Sequence, residues 1–287
     1  MNTLQEIHNP ATELVLKNNR HLLLDKPLVM GIVNITPDSF YDGGRYISQG
    51  DAIEHAEQII AEGADIIDLG AASTRPGAED VGAEEELKRL LPVLDHLVKY
   101  HSNVPVSIDT FHSRVAIKTV ERGASIINDI SGGALDKEMY ATLGKLKVPY
   151  ILMHIQGTPK TMQIEPHYKN VVEEVYAYFS IRIKELRNAG VEQIIIDPGF
   201  GFGKNVEHNF SLLRHLNSFK SLGLPIMAGL SRKSMINKVL KTKPENALTG
   251  TIALNTIALL YGANILRVHD VKEAKQVIQL VDKVKNT

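Results

Sequence analysis

Residues 104–130 read VPVSIDTFHSRVAIKTVERGASIINDI and contain the pattern that decides the fold. An apolar run, Val104–Asp109, is followed by the amphipathic stretch Ser113–Arg122 and then by a second apolar run, Ser125–Ile130. Strands that are apolar on both faces are typical of a parallel sheet covered by helices. Gly123 supplies the left-handed residue that ends a helix before the next strand. The stretch therefore predicts a strand–helix–strand unit.

The same unit recurs along the chain, and eight apolar runs are predicted as strands. They are Leu28–Ile35, Ala64–Leu69, Val104–Asp109, Ser125–Ile130, Val148–His154, Gln193–Asp197, Leu224–Leu230 and Asn264–Val268. Eight strand–helix units in a chain of 287 residues indicate an α/β fold of the (β/α)8, or TIM, barrel type, which forms one domain of ~250 residues. A doubly wound sheet with fewer strands and an appended domain is the alternative.

The first 27 residues precede the barrel, which is predicted to span residues 28–287. Asn18-Asn19 lies between the apolar segments Leu14–Lys17 and His21–Leu24. An asparagine-rich turn between two such segments predicts a short hairpin. We expect this N-terminal extension to close the bottom of the barrel.

Composition excludes several classes of protein. The 32 Lys and Arg residues balance 33 Asp and Glu residues, so nucleic acid and anionic membranes are not expected as partners. The absence of cysteine excludes disulfides, thiolate nucleophiles and cysteine-bound metals. No apolar run reaches the ~20 residues that span a bilayer, and the first ten residues do not form a secretory signal. We therefore predict a soluble, cytoplasmic protein.

Polar residues stand where the predicted strands end, which is where barrel enzymes place their active sites. They include Asn34, Asp68, Asp109, Asn128, His154, Asp197, Ser231 and Arg267. A buried strand does not end in a charged group unless that group is paired or functional. Asp129 and Asp270 are expected to be turn or helix-capping residues instead, and His154 a core histidine. The series as a whole predicts one shared site.

Three familiar motifs fail on inspection. Gly199–Lys204 resembles a phosphate-binding loop, but Pro198 occupies the place of its first glycine and Asn205 that of its magnesium-binding Ser or Thr. Ser231 lacks the glycines of a nucleophile elbow. The sequence also contains no zinc-binding His-Glu-x-x-His helix.

The mixture of acids and cations indicates the ligand. Asp109, Asn128 and Asp197 suit a flat heterocycle rich in N–H groups, such as an aminopyrimidinone, because a carboxylate pairs bidentately with an amidine-like edge. Met153 and Phe202 are expected to flank such a ring.

An anion pocket is predicted beside that ring. Arg267, which can also stack on the ring, lies with His269 and Asn34 on neighbouring strands. The Asn34 oxygen suits a divalent metal. Ser234 opens the helix after the seventh strand, where free backbone N–H groups favour a carboxylate or phosphate.

These segments resemble those of dihydropteroate synthases, from about Val29 to the C-terminus. The segments that carry the resemblance are Met30–Gly44, Asp68–Glu79, Ser107–Thr110, Asn128–Gly133, Leu152–Gln163, Asp197–Lys204, Gly229–Ser234 and Arg267–Asp270. No motif position departs from the family pattern, which leaves only the N-terminal extension unexplained. The resemblance implies condensation of 6-hydroxymethyl-7,8-dihydropterin diphosphate with 4-aminobenzoate, giving 7,8-dihydropteroate and pyrophosphate.

The resemblance also implies residue roles. Asn34 binds Mg²⁺ and the diphosphate, and it acts in catalysis with Lys233, Arg267 and His269. The pterin diphosphate is bound by Thr74, Asp109, Asn128, Met153, Asp197, Phe202, Lys233, Arg267 and His269. The 4-aminobenzoate pocket is built from Phe40, Thr74, Arg75, Pro76 and Ser234, with Phe202 and Lys233. Two alternatives remain, which are a pterin-binding methyltransferase-type domain and a non-catalytic pterin-binding paralogue.

Two larger features are also expected. The glycine-containing stretches 36–46 and 72–83 are predicted to move and to close over bound ligand. The helix after Lys243 carries apolar residues wider than one buried stripe, over Ala247–Leu260. Core packing explains part of that width, and a homodimer face, which the family resemblance favours, is the alternative.

Overall fold

The described part of the chain, residues 13–35, 49–72 and 81–287 of the computed structural model, forms a barrel of parallel strands surrounded by helices. The strands are β1 (Glu13–Leu16), β2 (Arg20–Leu23), β3 (Leu28–Asn34), β4 (Ile66–Gly70), β5 (Val106–Asp109), β6 (Ile126–Asp129), β7 (Tyr150–Met153), β8 (Ile194–Asp197), β9 (Met227–Ala228) and β10 (Ile265–Val268). The helices are α1 (Gln49–Ala61), α2 (Ala83–Tyr100), α3 (Ser113–Glu121), α4 (Met139–Leu146), α5 (Val171–Asn188), α6 (Val206–Arg214), α7 (Ser234–Leu240), α8 (Leu248–Leu260) and α9 (Val271–Lys285). None of these helices combines the length and the apolar content needed to cross a membrane.

The barrel strands are hydrogen-bonded in chain order from β3 to β8, and β10 lies between β3 and β9. All of these pairings are parallel. The ring closes where Ile196 of β8 forms a parallel bridge with Ile226, just ahead of β9. There the N–H of Ile196 donates to the carbonyl oxygen of Pro225 at 2.9 Å. The predicted barrel is confirmed, and the doubly wound alternative was wrong.

Apolar side chains on the strands form two layers, because successive residues of a strand point to opposite faces. In β6, Ile126 packs inside the barrel while Ile127 packs outward against the helices. Ile195 and Ile196 of β8 divide in the same way. Continuous β-branched runs therefore serve both layers at once, which is why the strands are apolar throughout.

β1 and β2 form the predicted antiparallel hairpin ahead of the barrel. The turn between them places Asn19 at φ 58°, a left-handed conformation that asparagine tolerates better than most residues. Leu14 and Leu16 are buried and pack with the inner layer of the barrel. The side chain of Gln193 accepts the N–H of Val15 at 2.6 Å and donates to its carbonyl oxygen at 2.8 Å. The hairpin is thus tied to the start of β8.

Two elements differ most from their predicted extents. The strand predicted over Leu224–Leu230 is reduced to the two residues of β9. Its late start has a local cause, because Pro225 has no N–H to donate to a neighbouring strand. The helix predicted over Glu207–Leu222 is divided, since α6 ends at Arg214 and a 3₁₀ stretch, Leu216–Leu222, follows. That stretch reads LNSFKSL, and its Asn and Ser side chains compete for the backbone hydrogen bonds of a helix.

Candidate active site

The carboxyl halves of the barrel strands bring polar side chains to one chamber. Strands β4, β5, β6, β8 and β10 contribute Asp68, Asp109, Asn128, Asp197 and Arg267, respectively. The three carboxylates and the amide are buried. The residues that line the chamber are Asp109, Asn128, Ile130, Met153, Asp197, Phe200, Phe202, Gly229, Lys233 and Arg267.

Arg267 is the cation that joins this cluster. Its Nε donates to Oδ2 of Asp68 at 2.7 Å, and its Nη2 donates to Oδ2 of Asp109 at 2.8 Å. The amide nitrogen of Asn128 donates to the same Asp68 oxygen at 3.0 Å. One guanidinium is therefore shared by two buried carboxylates, which leaves one negative charge in excess when both are ionised. From the sequence, Asp68 was recognised as a polar residue at a strand end, but it was not predicted as a site residue.

Two acids that line the chamber, Asp109 and Asp197, hold protons more tightly than ordinary carboxyl groups do. Burial raises the pKa of Asp109 to about 7, with Arg267 opposing the rise and Asp68 adding to it. Burial also raises the pKa of Asp197, although a backbone N–H and the charge of Lys233 favour its ionised form. Asp109 therefore exchanges a proton near neutral pH.

Lys233 and Phe202 form one wall of the chamber. Lys233 precedes the first residue of α7, and its Nζ lies 4.2 Å from the centroid of the Phe202 ring. This is a cation–π contact. Burial and the charge of Arg267 lower the pKa of Lys233 to about 8, against the opposing effect of Asp197. Lys233 thus still carries its charge at pH 7, where the chamber needs it.

A buried lysine fixes the glycine-rich segment after β8. Lys204 donates to the carbonyl oxygens of Phe202 at 2.9 Å and Gly199 at 3.0 Å, and its Nζ lies 2.9 Å from Nδ1 of His154. Burial lowers the pKa of Lys204 to about 7. Burial and this lysine together lower the pKa of His154 to about 2, so the imidazole is neutral, as befits the predicted core histidine. In the sequence, Lys204 stood out only as the lysine of Gly199–Lys204, a segment that resembles a phosphate-binding loop but lacks two of its required residues.

His269 follows β10 and is held by Ser231. The Ser231 Oγ accepts the backbone N–H of His269 at 3.2 Å and lies 3.1 Å from its Nδ1. Either the hydroxyl or the ring donates in this contact, depending on which ring nitrogen carries the proton. Burial and the charge of Arg267 lower the pKa of His269 to about 3. At neutral pH the side chain is an uncharged hydrogen-bond donor beside the chamber.

The two residues predicted as turn or capping residues behave differently. Asp129 forms the predicted turn, accepting the N–H of Ser131 at 2.7 Å. Asp270 stands at the N-cap position of α9, yet its side chain makes no capping hydrogen bond. Instead it accepts from Nε and Nη2 of Arg232 at 3.0 and 2.6 Å. The prediction of a capping role for Asp270 was wrong, because a bidentate guanidinium is the stronger partner.

Asn34 ends β3 close to Asp109, and Gly70 of β4 lies between them. A Cβ atom on Gly70 would be in van der Waals contact with both, 3.4 Å from Oδ1 of Asn34 and 3.5 Å from Cβ of Asp109. The structure thus places an amide oxygen within the same corner of the barrel as the acid cluster.

The remaining predicted residues divide into two groups. Phe40, Thr74, Arg75 and Pro76 lie outside the described residues. Ser234 is the first residue of α7 and is exposed to solvent. Because it directly follows Lys233, which lines the chamber, the start of this helix is adjacent to the chamber in the chain.

The chain belongs to the class of pterin-binding enzymes, because the family profile described as pterin binding enzyme matches residues 30–269. A dihydropteroate synthase of Escherichia coli K12 is 47% identical over 265 residues, which cover 90% of this chain and 92% of that protein. The chain belongs to the dihydropteroate synthase family.

Solved structures agree with this assignment. Dihydropteroate synthase of Yersinia pestis, in a complex with a sulfonamide drug, has a TM-score of 0.92 and 39% identity over 96% of this chain and 100% of its own. The Xanthomonas albilineans enzyme was solved with 4-aminobenzoic acid (TM-score 0.89, 40% identity, 96% and 99% of the two chains). It was also solved with 7,8-dihydropteroate (TM-score 0.86, 38% identity, 96% and 99%).

These matches also bear on the N-terminal extension. A match over 96% of the chain must include part of residues 1–27, since those residues make up more than 4% of it. The family profile begins at residue 30, close to the predicted start near Val29, and the structural match extends the likeness into the N-terminal extension. The β1–β2 hairpin has no catalytic motif, which is why the motif-based comparison missed it.

Proposed function

We propose that the chamber binds the pterin ring of 6-hydroxymethyl-7,8-dihydropterin diphosphate for the reaction of the chain's family. The chain is a transferase that joins this pterinylmethyl group to 4-aminobenzoate, giving 7,8-dihydropteroate for folate synthesis and releasing pyrophosphate. One observation carries the assignment of the site: Asp109, Asn128 and Asp197 converge in a single buried chamber with two cations, Lys233 and Arg267. Such a set suits a flat, amidine-bearing heterocycle that carries a polyanion.

In this proposal the acids read the edge of the ring. The carboxylates of Asp109 and Asp197 accept from ring and amino N–H groups, and Asn128 both donates and accepts. Charge-assisted bonds of this kind are about twice as strong as neutral ones. Met153 and Phe202, which both line the chamber, enclose the faces of the ring, and Arg267 lies against it.

The diphosphate lies at the mouth of the chamber in this proposal. Arg267 supplies charge to it, and the neutral imidazole of His269 donates a hydrogen bond. Asn34 fits a magnesium ion because an amide oxygen is a hard ligand, and Mg²⁺ in such sites keeps waters and phosphate oxygens as its other ligands. When bound, Mg²⁺ would neutralise charge on the leaving diphosphate.

The second substrate approaches from the side of α7. We assign the 4-aminobenzoate carboxylate to Ser234 and the backbone N–H groups at the start of that helix. Lys233 and Phe202 form the boundary between the two substrates. Phe40, Thr74, Arg75 and Pro76 complete the pocket in this proposal, with Thr74 also reaching the pterin.

The reaction forms one bond and breaks one. The amine nitrogen of 4-aminobenzoate bonds to the pterin methylene carbon while the bond from that carbon to the diphosphate oxygen breaks. The electron pair leaves with pyrophosphate, and the amine proton passes to water. Asp109 and Asp197 stabilise positive charge that develops on the ring. An aniline is a neutral nucleophile at pH 7, so the site needs no strong base.

Release of pyrophosphate in the presence of both substrates and magnesium tests this function. We expect release to require 4-aminobenzoate and to yield 7,8-dihydropteroate in equal amount. A methyltransferase-type domain would release no pyrophosphate, and a non-catalytic paralogue would bind the pterin without release. Chelation of magnesium should abolish turnover while leaving the binding of a non-phosphorylated pterin nearly intact. Equal loss of both would contradict the placement of the metal at Asn34.

A cytoplasmic homodimer remains our prediction for the assembled protein. The support for the dimer is the apolar surface of α8, of which Ile257 and Leu260 are exposed by 37% and 50%.

A further inference from the structure

A cluster of metal-binding side chains lies on the outer layer of the barrel, between α1 and α2. Glu57 comes from the second half of α1, His96 from the last turns of α2, and His101 from the residue that ends α2. The Oε1 atom of Glu57 lies 2.8 Å from Nε2 of His96 and 3.6 Å from Nε2 of His101. Within the described residues this is the one group of three or more such side chains that could hold a metal ion.

The positions of the three atoms suit a first-row transition metal. One ligand atom from each residue lies within 4.8 Å of the other two. In a tetrahedral zinc site with bonds of about 2.0–2.1 Å, neighbouring ligand atoms are about 3.3 Å apart, so small side-chain rotations bring the set to that geometry. His96 and His101 are about a quarter exposed, which leaves a side of the cluster open to water.

We propose that Glu57, His96 and His101 bind a zinc ion, with water in the fourth position. Two imidazoles and one carboxylate form one of the ligand sets found in zinc sites with three protein ligands. Mg²⁺ prefers oxygen ligands, so the magnesium that the family's reaction needs does not compete for this site. The zinc site stands independently of the proposed function.

The site lies at the opposite end of the barrel from the chamber. The helices run antiparallel to the strands in this fold, so the last turns of α1 and α2 accompany the amino-terminal ends of the strands. None of the three ligands lines the chamber. A bound ion would connect α1 to α2 and stabilise the folded chain by mass action.

The local chemistry favours an ionised carboxylate. Hydrogen bonds from His96 and His101 lower the pKa of Glu57. Binding replaces the hydrogen bond between Glu57 and His96 with two metal bonds, so a proton leaves Nε2 of His96 or shifts to Nδ1. Zinc binding therefore releases protons or selects the tautomer protonated at Nδ1.

Calorimetry with zinc chloride on the tag-free, chelator-treated chain tests the proposal. We expect one zinc ion per chain and a rise in the melting temperature on binding. Loss of even an outer partner lowers metal affinity 10–100-fold, so Glu57→Gln, His96→Gln and His101→Gln should each weaken binding by at least about tenfold. Cobalt(II) in place of zinc should give the intense visible absorption of a tetrahedral site, and each substitution should abolish it.

His21→Gln is the matched control. His21 also pairs with a glutamate, since its Nδ1 lies 3.0 Å from Oε2 of Glu13, but no third ligand joins that pair among the described residues. The control should bind zinc as the unchanged chain does. Zinc binding that survives all three ligand substitutions, or falls equally in the control, would overturn the proposal, as would the absence of binding. Pyrophosphate release by the His96→Gln chain should equal that of the unchanged chain, because His96 lies outside the catalytic chamber.

Discussion

Asp197 differs from the other acids of the chamber in its partners. Asp68 and Asp109 share the guanidinium of Arg267. By contrast, the carboxylate of Asp197 accepts only the N–H of Gly199, at 2.8 Å, among the hydrogen bonds within the described residues. A carboxylate has capacity for about four hydrogen bonds. The oxygen capacity that remains on Asp197 is what a ring N–H of the pterin would fill.

The substitution Asp197→Asn tests whether this carboxylate accepts a hydrogen bond from a ring N–H of the pterin. The variant keeps the shape of the side chain but replaces an acceptor oxygen with an N–H group that opposes a ring N–H. Loss of a charge-assisted bond costs about 1.5–3 kcal/mol, so affinity for a pterin should fall at least about tenfold by calorimetry. Asp95→Asn, at an exposed surface pair, should leave the affinity unchanged. Unaltered pterin affinity in Asp197→Asn would remove this residue from the site.

The raised pKa of Asp109 predicts a pH dependence. The carboxyl has a pKa of about 7 in the folded chain, so protonation as the pH falls through 7 removes a carboxylate that accepts from the ring. Affinity for a non-phosphorylated pterin should therefore be highest above pH 7 and should decline from pH 7.5 to 5.5. Asp109→Asn should bind weakly at every pH with a flatter profile. A wild-type affinity that does not change over this interval would contradict the assignment.

At the scale of elements, periodicity predicted which segments are strands and helices, but tertiary contacts set where some of them end. β9 begins late because Pro225 has no N–H to donate, although the flanking residues are as apolar as those of the other strands. Burial of a charged group at the end of a strand is costly unless the group is paired or functional. The polar strand ends therefore identified the chamber from the sequence. The sequence did not reveal that Arg267 would pair with Asp68, because 199 residues separate the two and either could have found another partner.

The hairpin offers a test of how an added element stabilises the barrel. Leu14 of β1 is 1% exposed and packs on the inner layer, whereas Leu23 of β2 is 55% exposed. Replacing a buried leucine with alanine costs about 2–5 kcal/mol, so Leu14→Ala should lower the free energy of unfolding by that amount in urea titrations. Leu23→Ala is the control and should change it by less than about 0.5 kcal/mol. Equal effects would show that the hairpin does not pack on the barrel in solution.

At the scale of the molecule, α8 keeps apolar side chains that the barrel does not bury. α8 buries Leu254, Ala258 and Leu259 against the barrel, which accounts for the core-packing part of its width. Ile257 and Leu260 remain exposed, by 37% and 50%, and Leu280 of the neighbouring helix α9 is exposed by 71%. Exposed apolar side chains that form a patch are typical of a protein interface.

Light scattering should therefore find a dimer at micromolar concentration. Leu260→Asp places a charge in the proposed interface and should shift the protein toward the monomer. Ile181→Asp is the control, because Ile181 is similarly exposed, at 60%, but lies on α5. A monomeric wild-type chain, or equal dissociation in both variants, would reject this face as the interface.

The two substrate sites differ in how complete they are before ligands bind, and this difference predicts an order of binding. The pterin chamber is already enclosed by buried acids and by Phe202 and Lys233. Of the proposed contacts with the aminobenzoate, the described residues supply only Phe202, Lys233 and the exposed Ser234. Its other proposed contacts come from Phe40 and from residues 74–76, which follow β3 and β4 along the chain.

Phe40 is six residues from Asn34, the proposed ligand of the magnesium diphosphate, so occupation of that site should organise the aminobenzoate pocket. We expect the pterin diphosphate, or pyrophosphate with magnesium, to bind first and 4-aminobenzoate second. Titration of 4-aminobenzoate should then give measurable affinity with magnesium pyrophosphate and little without it, and a sulfonamide should behave in the same way. Equal affinity in the two titrations would mean that the aminobenzoate pocket forms without the diphosphate, and the ordered mechanism would fail.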